Sequence, residues 1–329
     1  MLPAIEQFST SESRPFWILR TRQTAYVMGL DAKGYLQHVY WGAKLVLDSD
    51  YGFPGESHVW RAFERPKAQT TEEFPAWGDL NFGEPCLKAQ FSDAVRCVLL
   101  EYVDSRIDQD GDKARLTITL KDPHYPLRVH LTYSPIPEYD LIERGVTIEN
   151  TGDVPITLER IMTAAWNLPD RDLYRLRTLS GSWGSEFQIQ DVDLAMGKQV
   201  IERRRGAAGF DSYPWFALGA DGADEQHGEV WFGSLAFGGN FRIVAERNGF
   251  GDVVVTGGIN DFDFAWRLDA GERFTAPTFV AGFTESGFGE ASRLLHGYEV
   301  DQVIPRSSAG SLRPIVYNSW YATARDVSE

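Results

Sequence analysis

Strict alternation of apolar and polar positions is the dominant signal along this chain. Arg115-Leu116-Thr117-Ile118-Thr119-Leu120 alternates, and so do Leu127–Tyr133 and Ile142–Ile148. A period of two buries one face of a strand and wets the other, as in antiparallel sheets. Turn residues separate these runs. Thr24–Leu30, the loop Asp31-Ala32-Lys33-Gly34 and Tyr35–Trp41 predict a hairpin. Val95–Val103 is a β-rich run expected as a strand, with Asp110-Gly111 in the turn before the next one. Asn150-Thr151-Gly152-Asp153 is expected to turn the chain back into Ile156–Met162. The second half repeats the theme. Glu229–Leu235 and Phe241–Glu246 read as strands, and Asn248-Gly249 is a hairpin signal before Asp252–Gly257. Phe262–Leu268 alternates, and Asp269–Glu272 turns into Arg273–Phe283. With about fifteen candidate strands, more than one open sheet usually carries, two packed antiparallel sheets are expected.

The period changes once. From Gly289, the positions Leu294, Leu295 and Tyr298 share one helical face, with Arg293 and Glu299 elsewhere. The small and polar stretch Ile304–Ser311 then reads as a linker. Beyond it, Arg313-Pro314-Ile315-Val316-Tyr317 is a short β-branched and aromatic run expected as a buried strand, opening onto Asn318-Ser319-Trp320-Tyr321. A buried strand requires neighbours on both sides. Either this one docks on something upstream or it belongs to a larger protein. The Pro-interrupted loop Asp48–Gly78 is long enough to suggest function.

Composition narrows the classes. A net charge of −15 argues against nucleic acid as a partner, because a phosphate backbone demands a basic face. No apolar run approaches the roughly 20 residues of a membrane helix, and the N-terminus Met1–Glu6 lacks a basic and apolar leader, so a cytoplasmic protein with no membrane partner is expected. Cys86 and Cys97 are too few for a disulfide scaffold and are expected as reduced thiols.

Candidate chemistry is sparse. Glycoside hydrolysis needs two carboxylic acids flanking one bond, and nothing local selects such a pair among 47 acidic residues. No two of the six histidines have metal-ligand spacing. His130 lies in an alternating strand, on the face opposite Val129 and Leu131; His124 and His227 lie in or near turns. Phosphate loops and serine elbows are absent. More suggestive are Glu73–Pro85, where aromatic, Asp and Asn side chains suit a sugar, and Thr178–Glu186, where Trp183 lies between glycines and is expected to reach outward.

Together these segments resemble the bacterial α-galactosidases of glycoside hydrolase family 36. Glu73–Pro85 is similar to their Tyr-Pro-Ala-Trp-Gly…Asp-Phe…Glu-Pro stretch. Leu36–Gly42, Tyr139–Arg144 with Ile148–Gly152, Thr178–Glu186, Gly258-Ile259-Asn260 with Phe264-Ala265-Trp266, and Arg313–Thr323 follow in family order. The resemblance implies a mainly β fold, a large two-sheet antiparallel β-supersandwich of the galactose-mutarotase-like kind over 1–287. A helix and linker would span 288–312, and 313–329 would begin a (β/α)8 barrel. In the family both catalytic aspartates lie further along the barrel, so none is assigned here and the chain alone is expected to be inactive. The resemblance places Trp183 and Trp320 at the galactose pocket, with Asp50 and Arg61 as the matches for an aspartate and an arginine of the early loop. It implies an α-galactoside or galactose as ligand, the barrel as partner, homo-oligomers in which sandwich loops reach a neighbour's site, and no metal or organic cofactor. Where the family shows aromatic residues after its Ala-Thr equivalent, this chain has Ala324 and Arg325. A stand-alone carbohydrate-binding scaffold would instead fold Arg313–Glu329 against the sandwich. A sugar mutarotase or epimerase would need a carboxylate and an imidazole facing one pocket.

Overall fold

The computed structural model describes residues 4–10, 13–54, 71–78, 82–111, 113–206, 209–249, 251–305 and 312–328. β1 (Ile5–Ser9), β2 (Pro15–Arg20), β3 (Thr24–Leu30) and β4 (Leu36–Ala43) form a four-stranded antiparallel meander. There follow β5 (Leu87–Gln90), β6 (Glu101–Asp110), β7 (Lys113–Lys121), β8 (Leu127–Ile136), β9 (Leu141–Asn150) and β10 (Ile156–Leu168). The second half contributes β11 (Tyr174–Ser182), β12 (Ser185–Asp193), β13 (Gly197–Glu202), β14 (Trp215–Ala220) and β15 (Val230–Leu235). It ends with β16 (Phe241–Arg247), β17 (Val253–Ile259), β18 (Trp266–Leu268), β19 (Arg273–Thr275), β20 (Phe279–Thr284) and α1 (Gly287–Tyr298). One layer is a ten-stranded sheet in the order β12-β11-β14-β15-β20-β9-β8-β7-β6, with β19 also on β9. A six-stranded sheet, β13-β16-β17-β10-β18 with β5 on β10, and the N-terminal meander face it across one apolar core. The expected antiparallel sandwich is therefore present.

The alternating runs sit where period two requires. Leu116, Ile118 and Leu120 of β7 and Leu127, Val129 and Leu131 of β8 are buried, and the residues between them face outward. Gly111, at φ +59, makes the tight turn between β6 and β7. Elsewhere the structure departs from local pattern. Val95–Glu101 is largely irregular, with β6 starting only at Glu101. Its backbone donors go to single distant acceptors, Val98 N–H to Trp77 O and Leu99 N–H to Asp122 Oδ2, so no ladder forms. The 262–268 run is strand only from Trp266, because Asn260 Oδ1 accepts the Phe262 N–H and curls the chain first. The 273–283 run splits into β19 and β20 at Pro277, which has no N–H to donate. β10 does not return along β9 but crosses to the other layer, pairing β17, β18 and β5.

α1 lays Phe288, Ala291, Leu294, Leu295 and Tyr298 on the outer face of the ten-stranded sheet, against Val230, Phe232 and Val280. The predicted helical face is thus the packed one. Arg313–Tyr317, expected as a buried strand, has no ladder partner among the described residues and leaves Ile315, Val316 and Tyr317 exposed. Only a short helix, Trp320–Thr323, follows. Among the described residues no strand lies on either side of this segment, and a strand cannot be buried alone. No helix among the described residues is long and apolar enough to cross a membrane.

Both cysteines are free. Cys97 is exposed; Cys86 is wholly buried, and burial pushes its thiol well above the usual range. A thiol reagent such as Ellman's is therefore expected to titrate one group in the native protein and two after unfolding, since the thiolate is the reactive form. Two rapid equivalents in the native state would contradict this burial.

Candidate aromatic and polar sites

Trp183 occupies the tip of the β11–β12 hairpin. Gly184 at φ +76 makes the reversal, and the Glu186 carboxylate accepts the Gly184 N–H at 3.0 Å. The indole is 78% exposed, as its glycine neighbours led us to expect, and among the described residues its ring contact is with the edge of Phe210 at 6.4 Å. Beside it Phe187 adopts φ +57, a conformation a bulky L-residue rarely takes, and stacks on Tyr213 at 4.1 Å. Leu179, Ile189, Trp215 and Phe288 continue this surface into an apolar groove toward α1. Sequence reading missed Phe187, Phe210 and Tyr213. Phe187 carried a weak signal in the alternation of β12; the other two lie in a loop with none.

Asp50 lies in a short 3-10 turn, Asp48–Tyr51, after the meander, where Ser49 Oγ approaches its carboxylate at 3.3 Å. Arg61 lies outside the described residues. Trp320 is 58% exposed in the short terminal helix, its backbone N–H bonded to Asn318 Oδ1. No hydrogen bond or ring contact joins Trp183, Asp50 and Trp320 among the described residues.

The Glu73–Pro85 segment divides its chemistry. Glu73 is fully buried between the layers, not at a sugar site. Its Oε1 accepts Tyr26 Oη at 2.6 Å and lies 3.2 Å from His38 Nδ1. Its Oε2 accepts Tyr133 Oη at 2.9 Å and pairs with Arg144 Nη1 at 3.1 Å. Burial pushes the Glu73 carboxyl up, but Arg144, His38 and Tyr26 outweigh it and hold it below the usual range. Arg144 also donates to the carbonyls of Ala165 at 2.6 Å and Glu73 at 2.9 Å. Glu84 is the second case. Burial raises it, yet Lys198 at 2.5 Å and Arg160 at 2.6 Å hold it low. Both carboxylates are kept ionised by fixed cations, the opposite of what a general acid needs. Trp77 remains half-exposed, with Lys88 Nζ 5.9 Å from its ring. Asp79 and Asn81 lie outside the described residues.

Neither His124 nor His227 meets a carboxylate in a groove. His124 is in an exposed turn held by Asp122, and His227 stands out at the surface 3.6 Å from Asp224. His130 is different. Its Nε2 lies 2.9 Å from Glu149 Oε2 on the outer face of the ten-stranded sheet.

A ten-stranded sheet facing two smaller sheets, with one helix on its outer side, defines a β-supersandwich module. The sequence profile of the glycosyl hydrolase family 36 N-terminal domain matches residues 34–269, so the chain belongs to this family as its N-terminal domain. It is 32% identical to alpha-galactosidase AgaA of Geobacillus stearothermophilus over 94% of this chain and 46% of the relative. It is 25% identical to alpha-galactosidase Mel36A of Lactobacillus acidophilus over the same shares. The crystal structure of AgaA superposes with a TM-score of 0.86 at 30% identity, covering 94% of this chain and 46% of that one. A variant of AgaA solved in complex with stachyose gives 0.87 at 30% identity, covering 98% and 46%. The chain thus spans about half the length of the curated relatives it matches.

Proposed function

We propose that this chain is the supporting domain of an α-galactosidase that hydrolyses terminal α-galactosides with retention, through a glycosyl–aspartate intermediate formed in a (β/α)8 barrel. In this reading 1–287 is the sandwich, 288–312 the helix and linker, and 313–329 the entry into the barrel. The observation that carries it is Trp183, held on a tight hairpin tip with its indole in solvent and aromatic rings beside it. An exposed rigid aromatic face is what the apolar side of a sugar ring stacks on. The exposed Ile315, Val316, Tyr317 and Trp320 fit the same reading, because a barrel would cover them. Trp183, Asp50 and Arg61 then shape the rim of the galactose pocket, and Trp320 lines it from the first barrel strand. Raffinose-type sugars are the substrates that suit it, since variants of one relative, AgaA, were crystallised with raffinose and with stachyose. Assembly into homo-oligomers would bring the hairpin tip to a neighbouring barrel. Two unpaired cysteines fit a reducing, cytoplasmic setting.

The test is hydrolysis of p-nitrophenyl α-galactoside by the purified 329-residue chain, beside galactose calorimetry. No turnover above buffer is expected, because barrel sites are assembled from several strand ends. Turnover that survives purification and is lost on replacing a sandwich carboxylate would overturn the reading. Tight galactose binding without turnover would favour a stand-alone binding module.

A further inference from the structure

α1 covers the outer face of the ten-stranded sheet over β14, β15, β20 and the first residues of β9. Over β6 to β8, the rest of β9 and β19 that face forms an open groove of about 590 Å³, within the size range of small-molecule sites. The strand register sets a row of polar groups straight across it: Asp104, Thr119, His130, Thr147 and Thr275 are successive cross-strand partners. With strands about 4.8 Å apart, this row runs roughly 19 Å.

The row is built and held. His130 Nε2 lies 2.9 Å from Glu149 Oε2, and Nδ1 lies 3.4 Å from Thr119 Oγ1. Glu149 Oε1 accepts Arg273 Nε at 3.1 Å and Nη2 at 2.8 Å. Burial pushes the Glu149 carboxyl up, but the hydrogen bonds from His130 and Arg273 outweigh it and keep it ionised. Thr147 and Thr275 place their hydroxyl oxygens 2.9 Å apart. Gly145, paired with Thr132 in the adjoining row, makes room for the Thr132 side chain, whose Oγ1 would lie 2.7 Å from a Cβ there.

The lining selects its ligand. Arg106 is already paired with Asp108 at 2.9 Å and Arg273 with Glu149 at 2.8 Å, so neither guanidinium is left to draw an anion. Among the described residues no large apolar side chain lines the groove, in contrast to the surface beside Trp183, so an apolar molecule has little to bury against. What remains is a row of hydroxyl, imidazole and fixed charged groups able to donate and accept. We propose that this groove is a second saccharide site, distant from the Trp183 hairpin, in which Thr117, Thr119 and Thr147 bond the hydroxyls of a neutral sugar lying against the His130 ring. Shallow and without an aromatic floor, it binds at about millimolar strength.

The chain with 13C-labelled histidine, titrated with raffinose and separately with inorganic phosphate, tests this without reference to hydrolysis. Raffinose is expected to shift the His130 ring signals saturably. Thr147→Val and Thr119→Val, each of which removes a hydroxyl at nearly constant shape and keeps the His130 reporter, should each weaken binding about tenfold, one lost hydrogen-bonded contact. Trp183→Ala should leave it within about twofold, because separated sites act independently. The proposal is overturned if raffinose gives no saturable shift up to about 50 mM, or if binding survives Thr147→Val but not Trp183→Ala. It is overturned equally if phosphate displaces raffinose at equal concentration.

Discussion

Glu73→Gln is expected to lower the free energy of unfolding by about 3–5 kcal/mol at pH 7, because it leaves the buried Arg144 guanidinium without its counter-charge. The carboxylate accepts four groups in the native core, Tyr26, His38, Tyr133 and Arg144. An amide can accept at only one of its two ends, so two of the four meet a donor instead. The effect has a pH signature. The folded carboxyl titrates below its unfolded value, so its contribution is complete above the unfolded value of about 4.3 and is lost as pH falls through the folded one. The gap between the two proteins should therefore narrow below about pH 4. Arg144→Met should behave in the opposite sense. It strands Glu73 in an apolar core, raises its carboxyl, and costs more as pH rises. Denaturant unfolding at several pH values checks both. A loss under about 1 kcal/mol for Glu73→Gln, no more than a surface ion pair gives, would show that the cluster is not the anchor between layers that its geometry describes.

Trp166→Ala is expected to cost a similar amount, about 3–5 kcal/mol, through a cavity the rigid layers cannot close. Trp166 is fully buried on β10, with Trp41 at 5.0 Å, Tyr26 at 5.8 Å and Phe279 at 6.0 Å. The Arg144 guanidinium lies over its face at 4.8 Å. Its indole N–H has no partner among the described residues, so Trp166→Phe removes volume without orphaning an acceptor and should cost much less. Equal losses for the two variants, by denaturant unfolding with near-ultraviolet circular dichroism as the packing readout, would refute this account. Because Arg144 touches both Glu73 and Trp166, the Glu73→Gln and Trp166→Ala effects should not add.

These clusters explain why some resemblance motifs are structural rather than chemical. In Tyr139–Arg144, Asp140 takes φ +51 and accepts the Gln23 N–H at 2.6 Å and the Thr21 hydroxyl at 2.7 Å, tying the meander to β9. Glu143 faces outward and accepts Tyr298 of α1 at 2.6 Å, while Arg144 faces inward to Glu73. Adjacent residues on a strand serve opposite faces. In Gly258-Ile259-Asn260, a Cβ at Gly258 would lie 2.5 Å from Met162 Cα, at a bulge of β10, so only glycine lets the strands approach.

By itself the sequence determined the antiparallel class, the faces of β7, β8 and β9, the hairpins at Gly34 and Asn248, and the buried stripe of α1. Each rests on interactions a few residues apart, which periodicity and turn chemistry record directly. It also marked Trp183 as outward, because flanking small residues give an indole little local packing. Tertiary structure alone decided that β10 leaves β9 for the opposite layer and that Glu73 is a buried counter-ion. It alone paired His130 with Glu149 across the sheet. Those outcomes depend on partners tens of residues away, where desolvation and charge pairing act between segments whose meeting no local pattern encodes.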